Sequence, residues 1–226
     1  MIKNWKVTAW LSSPLAGDPP ALDSLLEWEL ARRLGMKHHL KLTRNVPLSQ
    51  IEHVPIPLYQ VTLGGHDVYR CSDPILPEPR AEWADHNSKR IDTGMIALML
   101  APSERKSLLI ASGPYKMRYV PVRCRLVDRV AWFFHGDRKE VNKLLKSVVA
   151  LGRKRNIGYG LIERWEYEET EDDCSITALC QGKPVLMKTI PSGPHLKNMT
   201  GYRRSFGGGF PPYWHPETYM EIAVPC

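Results

Sequence analysis

The ten residues LGRKRNIGYG, 151 to 160, put three glycines and three consecutive cations into one short turn. Such a composition can hold phosphate, because glycine lets the backbone approach closely and the cations offset the charge. The dinucleotide fingerprint and the P-loop both run strand, loop, helix, so that helix N–H groups face the phosphate. Here a helix is expected before the loop and a strand after it, which argues against adenine nucleotides. Gly152 also fits a plain left-handed helix stop. Gly158 and Gly160 flank Tyr159 at the entrance to the strand, where a missing side chain admits a neighbouring backbone or a ligand. Metal and redox chemistry find less support. The eight histidines show no H-x-x-x-H or H-E-x-x-H spacing, and the acidic stretch EETEDD lacks the EF-hand alternation. The five cysteines are odd in number and contain no C-x-x-C pair, so reduced packing thiols are expected, with no metal and no cofactor.

The net charge of +7 makes an acidic partner plausible, and its distribution is more informative. Residues 101 to 160 carry 14 Lys plus Arg against 4 Asp plus Glu, whereas residues 161 to 173 carry 7 acids and the single cation Arg164. A charge run is often only a solvated face, and that reading suits the acidic stretch ERWEYEETEDD. The basic region differs, since its cations are interleaved with Tyr115, Tyr119 and Tyr159 and converge on the glycine loop. Cations for phosphates and aromatic faces for bases are what single-stranded nucleic acid requires.

These residues need elements to position them. KNWKVTAWL reads as a strand with Trp5, Val7, Ala9 and Leu11 on one face. Leu22, Leu25, Leu26, Leu30 and Leu34 mark a helix ended by Gly35, with Asp18 as N-cap and Pro19 at its first position. PIPLYQVTL and HDVYRCSDPIL straddle Gly64 and Gly65 as a hairpin. Residues 77 to 120 read as an insertion with one apolar patch, MIALML. RLVDRVAWFF, Arg125 to Phe134, is expected as one strand leading into a helix over Asp137 to Ala150, capped by Asp137 and Glu140. Leu161 to Tyr167 is the strand after the loop. This β-α-β-β-α-β succession predicts an α+β, ferredoxin-like antiparallel sheet with helices on one face. The core would comprise residues 1–76 and 121–170, followed by a β-rich C-terminal extension, 171–226. No run of 18 apolar residues and no signal-peptide pattern are present, so a soluble, cytoplasmic, membrane-free protein is expected.

A helix followed by LGRKRNIGYG and a strand resembles the glycine-rich loop of the RAMP superfamily of CRISPR RNA-binding proteins. SSPLAGDPPALDSLLEWE, GPYKMRYVPVRCRLVDRVAWFFHGD and PPYW together resemble the third Csf subunit of type IV CRISPR effector complexes, a Cas-five-class subunit. The resemblance implies a subunit that holds the repeat-derived 5′ handle of the CRISPR RNA at one end of the complex. It also implies contacts with a backbone RAMP subunit and the large subunit, and proximity to the duplex motif flanking the target DNA. Residues 77–120 would then be an inserted thumb. The candidate RNA contacts are Gly152, Arg153, Lys154, Arg155, Gly158, Tyr159 and Gly160, extended by Lys116, Arg118, Arg123 and Arg125. A second cluster, YRRSFGGGFPPYW, offers Arg203 and Arg204, or is a plain Pro/Gly-rich connection.

An enzyme is the alternative. Some RAMP proteins cut precursor CRISPR RNA without metal, using a histidine near the ribose 2′-hydroxyl. His38 and His39 beyond the first helix, and His135 before the second, invite that reading. None has a partner defined by spacing, so no catalytic residue is assigned.

Overall fold

The computed structural model describes residues 2–89 and 118–226. Lys116, the MIALML patch and the centre of the expected thumb lie outside the described residues. In chain order the first elements are β1 (Ile2–Leu11), β2 (Leu15–Ala16), α1 (Leu22–Leu34), α2 (Lys37–Lys41), β3 (Gln60–Leu63), β4 (His66–Tyr69) and β5 (Ala81–Lys89). Then come β6 (Arg118–Leu126), β7 (Arg129–Asp137), α3 (Arg138–Leu145), β8 (Ile162–Glu169), β9 (Thr177–Cys180), β10 (Lys183–Leu186), β11 (Ile190–Pro191), β12 (Tyr202–Gly208) and β13 (Tyr219–Pro225). The fold is mixed α/β, with mostly antiparallel sheets and few helices. No helix among the described residues is long and apolar enough to cross a membrane.

Strand alternation sends Trp5, Val7, Ala9 and Leu11 of β1 to one face, as expected. β7 and β8 pair antiparallel along the two edges of β1, setting Val7 between Trp132 and Tyr167 and Ala9 between Val130 and Trp165. Leu22, Leu25 and Leu26 of α1 and Val141, Leu144 and Leu145 of α3 close over this face. Beyond β7 no regular strand follows among the described residues. Its outer edge instead bridges to Leu58, Cys71 and Ile75 of an irregular segment.

Three expected boundaries move. α1 starts at Leu22 behind Ala21, not at Asp18, because each residue before a proline is biased to the extended region and Pro19–Pro20 delays the helix. Its stop is as expected, with Gly35 left-handed at φ 68°. Arg125 to Phe134 is two strands, not one: β6 ends at Leu126, Val127 and Asp128 form the connection, and the two strands join different sheets. The Asp137 cap is present, its carboxylate accepting from the N–H groups of Lys139 and Glu140, but α3 ends at Leu145. The residues after it turn inward so that Ala150 can bridge Leu161.

A second sheet joins β2, β6 and β5, and β5 and β6 form a nine-residue-deep hairpin running from the Ala81–Leu126 pair to the Lys89–Arg118 pair. Gly64 and Gly65, both at positive φ, turn the β3–β4 hairpin as read, although its strands are shorter than the apolar pattern suggests. The C-terminal extension is β-rich, with a β11–β13–β12 sheet and a β9–β10 pair around Val68, Leu186, Ile190, Leu196 and Ala223. A buried ion pair fastens it to the core. Lys188 Nζ lies 2.7 Å from Asp23 in the first turn of α1, each side chain being 1% exposed. Tyr213 donates its hydroxyl to the same carboxylate at 2.5 Å, and Lys188 Nζ is 3.4 Å from Cys71 Sγ. Burial pushes the Cys71 thiol up to about 12. On Lys188 burial is the largest single effect and acts downward, but Asp23, Cys71, Tyr213 and Asp73 together outweigh it and raise the pKa, keeping the ammonium charged.

Candidate nucleic-acid interface

The loop 151–160 is a stapled turn. Its neck is closed by the Ala150–Leu161 bridge and by Leu151 N–H donating to Gly160 O at 2.8 Å. Its sides are tied to the β1–α1 connection, with Arg153 N–H on Ala16 O at 2.6 Å and Gly160 N–H on Pro14 O at 2.8 Å. Two glycines are required here. Gly152 (φ 74°) would set a Cβ 2.4 Å from Ala16 O, and Gly160 (φ 65°) would set one 2.1 Å from Leu151 O. Gly152 is therefore a point of close approach and not a helix stop, and Gly160 is the close approach its position suggested. Gly158 (φ 91°) has nothing within 4 Å of such a Cβ, and only its conformation asks for glycine.

The three cations of the loop have separate fates. Lys154, itself left-handed at φ 56°, turns back to β5, where its Nζ lies 2.5 Å from Asp85 Oδ2 and 3.0 Å from His86 O. Tyr159 donates its hydroxyl to the same Asp85 oxygen at 3.2 Å. The Lys154 ammonium, helped by the His86 N–H, holds the Asp85 carboxyl below the usual carboxylate range. Lys154 and Tyr159 thus lock the loop to the hairpin. Arg153 and Arg155 are exposed and make no ion pair among the described residues. The stem of Arg153 lies over Gly17, where a Cβ would meet its Cδ at 3.1 Å. Two clefts meet at these arginines, one of about 660 Å³ lined by Val122, Lys154 and Asn156, the other of about 420 Å³ lined by Asp18, Ser24, Leu25 and Trp28. The N–H groups of Arg153, Ile157, Gly158, Tyr159 and Gly160 all donate to carbonyls within the fold, so the loop offers cations more than a cradle of amides.

The other candidate contacts scatter. Arg123 grips Glu82 with two hydrogen bonds of 2.6 Å, and Arg125 pairs with Asp18 and donates to Gly17 O at 3.1 Å. Both therefore brace the hairpin and the β2 turn, and their charge is already answered. Arg118 opens β6 at the edge of the described residues. Arg203 and Arg204 lie on β12 in the C-terminal sheet, Arg204 3.0 Å from Glu221, apart from the loop's own scaffold. Beside Lys154, the hairpin carries an exposed aromatic pair, His86 stacked on Tyr119 with centroids 4.1 Å apart.

Of the histidines, His39 is buried with Nδ1 3.1 Å from Glu27 Oε1 and Nε2 2.7 Å from Glu52 O. Both partners are acceptors, so only the imidazolium satisfies them. Burial, the largest single effect, would lower its pKa, but the hydrogen bonds to Glu27 and to the Glu52 carbonyl, with the charges of both carboxylates, together outweigh it and raise the pKa. His135 faces Asn4 at 2.6 Å, and burial, seconded by Arg70, lowers its pKa. His38 lies half-buried in α2. Trp28 escaped notice in the sequence because α1 was read only through its leucine stripe, whereas Trp214 entered only as the end of the PPYW motif. A tryptophan four residues after Ser24 and off that stripe was the available signal.

A family model described as CRISPR type IV associated protein Csf3 matches residues 4–225. No curated protein matches the chain.

Proposed function

The chain belongs to the Csf3 family of type IV CRISPR-associated proteins, and from that premise we propose that it is a non-catalytic RNA-binding subunit of the type IV effector complex. In this reading Arg153 and Arg155 hold phosphates of the CRISPR RNA 5′ handle, and the β5–β6 hairpin is the base of a thumb beside the strand. The backbone RAMP subunit and the large subunit are its protein partners, with the duplex motif flanking the target DNA nearby and the cytoplasm as its compartment. The β7–β1–β8 order, helices on one face and the irregular segment beside β7 support a ferredoxin-like core whose remaining strand position is held irregularly.

One observation carries the RNA reading: two exposed arginines without ion-pair partners among the described residues stand on a loop whose backbone and whose third cation are fixed to the scaffold. Free charge on a rigid support binds phosphate with little ordering cost. The histidines favour the non-catalytic reading. His39 has both nitrogens occupied, and His135 pairs with β1 at Asn4, about 23 Å along the strand from the end that meets the loop. The test is the salt dependence of binding to single-stranded handle RNA. Arg153→Ala with Arg155→Ala should weaken binding and reduce the log–log salt slope by about 1.4. An unchanged slope and affinity would refute the assignment, and specific cleavage of precursor RNA that is lost in His38→Ala or His135→Ala would make the protein an enzyme.

A further inference from the structure

The cleft at Arg153 and Arg155 does not end at the loop. It runs over Gly152 and Leu25 to Ser24 and Trp28 of α1, and both of these residues also line an adjoining cavity of about 340 Å³ walled by Glu27, Leu42, Tyr213 and Trp214. Ser24, Glu27 and Trp28 share one helix face by their spacing. Trp28 is 40% exposed, so the groove and not the core accounts for this indole. Trp214 stands on the cavity's wall from the C-terminal extension.

We propose that this groove seats an unpaired guanine of the bound RNA, with Trp28 and Trp214 as its aromatic walls and the Glu27 carboxylate receiving its Watson–Crick edge. The inference rests on the RNA-binding reading above. Its chemistry follows from Glu27, which is buried at 8% exposure yet lines the cavity. One of its oxygens faces His39 Nδ1 at 3.1 Å, and among the described residues the other has no partner. A carboxylate carries about four acceptor positions. Guanine alone among the RNA bases presents two adjacent donors, N1–H and the N2 amine. Adenine and cytosine set an acceptor beside their amine, and uracil flanks its N3–H with two carbonyls, so each would turn an oxygen or ring nitrogen toward the carboxylate. The His39 imidazolium leaves the pair neutral overall, so a neutral base covers it without isolating a charge. Phosphate cations at one end of a groove, with stacking faces and a carboxylate at the other, match one nucleotide from backbone to base edge.

The experiment is a binding titration of the full chain with labelled eight-residue oligouridine, and with the same oligomer carrying one guanosine or one inosine at each position in turn. One guanosine should tighten binding about tenfold at a preferred position. Inosine, lacking the N2 amine, should keep only part of that gain. Trp28→Ala, at an exposed position that leaves the melting transition in place, should erase the guanosine preference without changing the salt slope. Glu27→Gln should do the same if it folds. Equal affinity for all oligomers with a normal salt slope overturns the guanine site and leaves the RNA reading standing, as does a preference that survives in Trp28→Ala. No salt-dependent binding to any oligomer sinks both.

Discussion

Alanine at Gly160 would place a methyl group 2.1 Å from Leu151 O, at a backbone φ of 65°. The left-handed conformation alone costs a non-glycine residue about 1 kcal/mol. The clash cannot be relieved locally, because Leu151 N–H donates to Gly160 O and Gly160 N–H donates to Pro14 O, both at 2.8 Å. Moving the two strands of the neck apart strains or breaks both bonds, adding about 1 kcal/mol each with further loss of packing, about 3–4 kcal/mol in all. Gly158→Ala is the internal control. It has φ 91° and nothing within 4 Å, so only the conformational cost of about 1 kcal/mol applies. With a urea m value of about 2.5 kcal/mol per molar, the midpoints should fall by about 1.4 M for Gly160→Ala and about 0.4 M for Gly158→Ala. Both variants are read by urea unfolding followed by circular dichroism, with fluorescence as a second probe. Equal shifts for the two would refute the close-approach account of the loop.

Lys188→Met should cost about 3–5 kcal/mol by leaving the Asp23 carboxylate buried without its cation, and adding Asp23→Asn should recover part of that; a loss below 1 kcal/mol in chemical denaturation would contradict it. Because folding raises the pKa of His39 above the ordinary histidine value of about 6.5, its contribution is complete below that pH and is lost as pH rises through the folded value. Wild-type stability should therefore drop more from pH 6 to pH 8 than that of His39→Gln, and parallel pH profiles would exclude a buried imidazolium. Since Lys89 and Arg118 are paired across the hairpin, replacing residues 90–117 by Asn-Gly should leave a cooperative unfolding transition; its loss would place those residues in the core.

Periodicity made the central sheet legible. The alternation in β1, the leucines of α1 with Gly35, and the Asp137 cap were all plain in the sequence, because each is a local signal. What was hidden depends on partners distant in the chain. β5 reads as a polar, charged stretch because its strand character comes from pairing with β6, including Glu82 against Arg125 and Asp85 against Val122. The break at Val127 and Asp128 is marked by no glycine or proline, and it arises from two sheets claiming neighbouring residues. At the loop, charge and glycine content singled out the candidate but could not rank its three cations. Asp85, 69 residues from Lys154, makes that distinction, and no spacing rule connects them.

The Lys188–Asp23 pair spans 165 residues of chain. A ribosome adding about 5–20 residues per second delivers that lysine roughly 8–33 s after the aspartate. Until then α1 can pack its leucines on β1 while its first turn presents a carboxylate with neither its lysine nor the Tyr213 hydroxyl. The stretch that carries Lys188 and Tyr213 therefore acts as a late-arriving latch on the first helix. A chain interrupted before residue 188 holds every element of the loop's scaffold yet leaves Asp23 unanswered, and Tyr213 and Trp214 close that side of the protein later still.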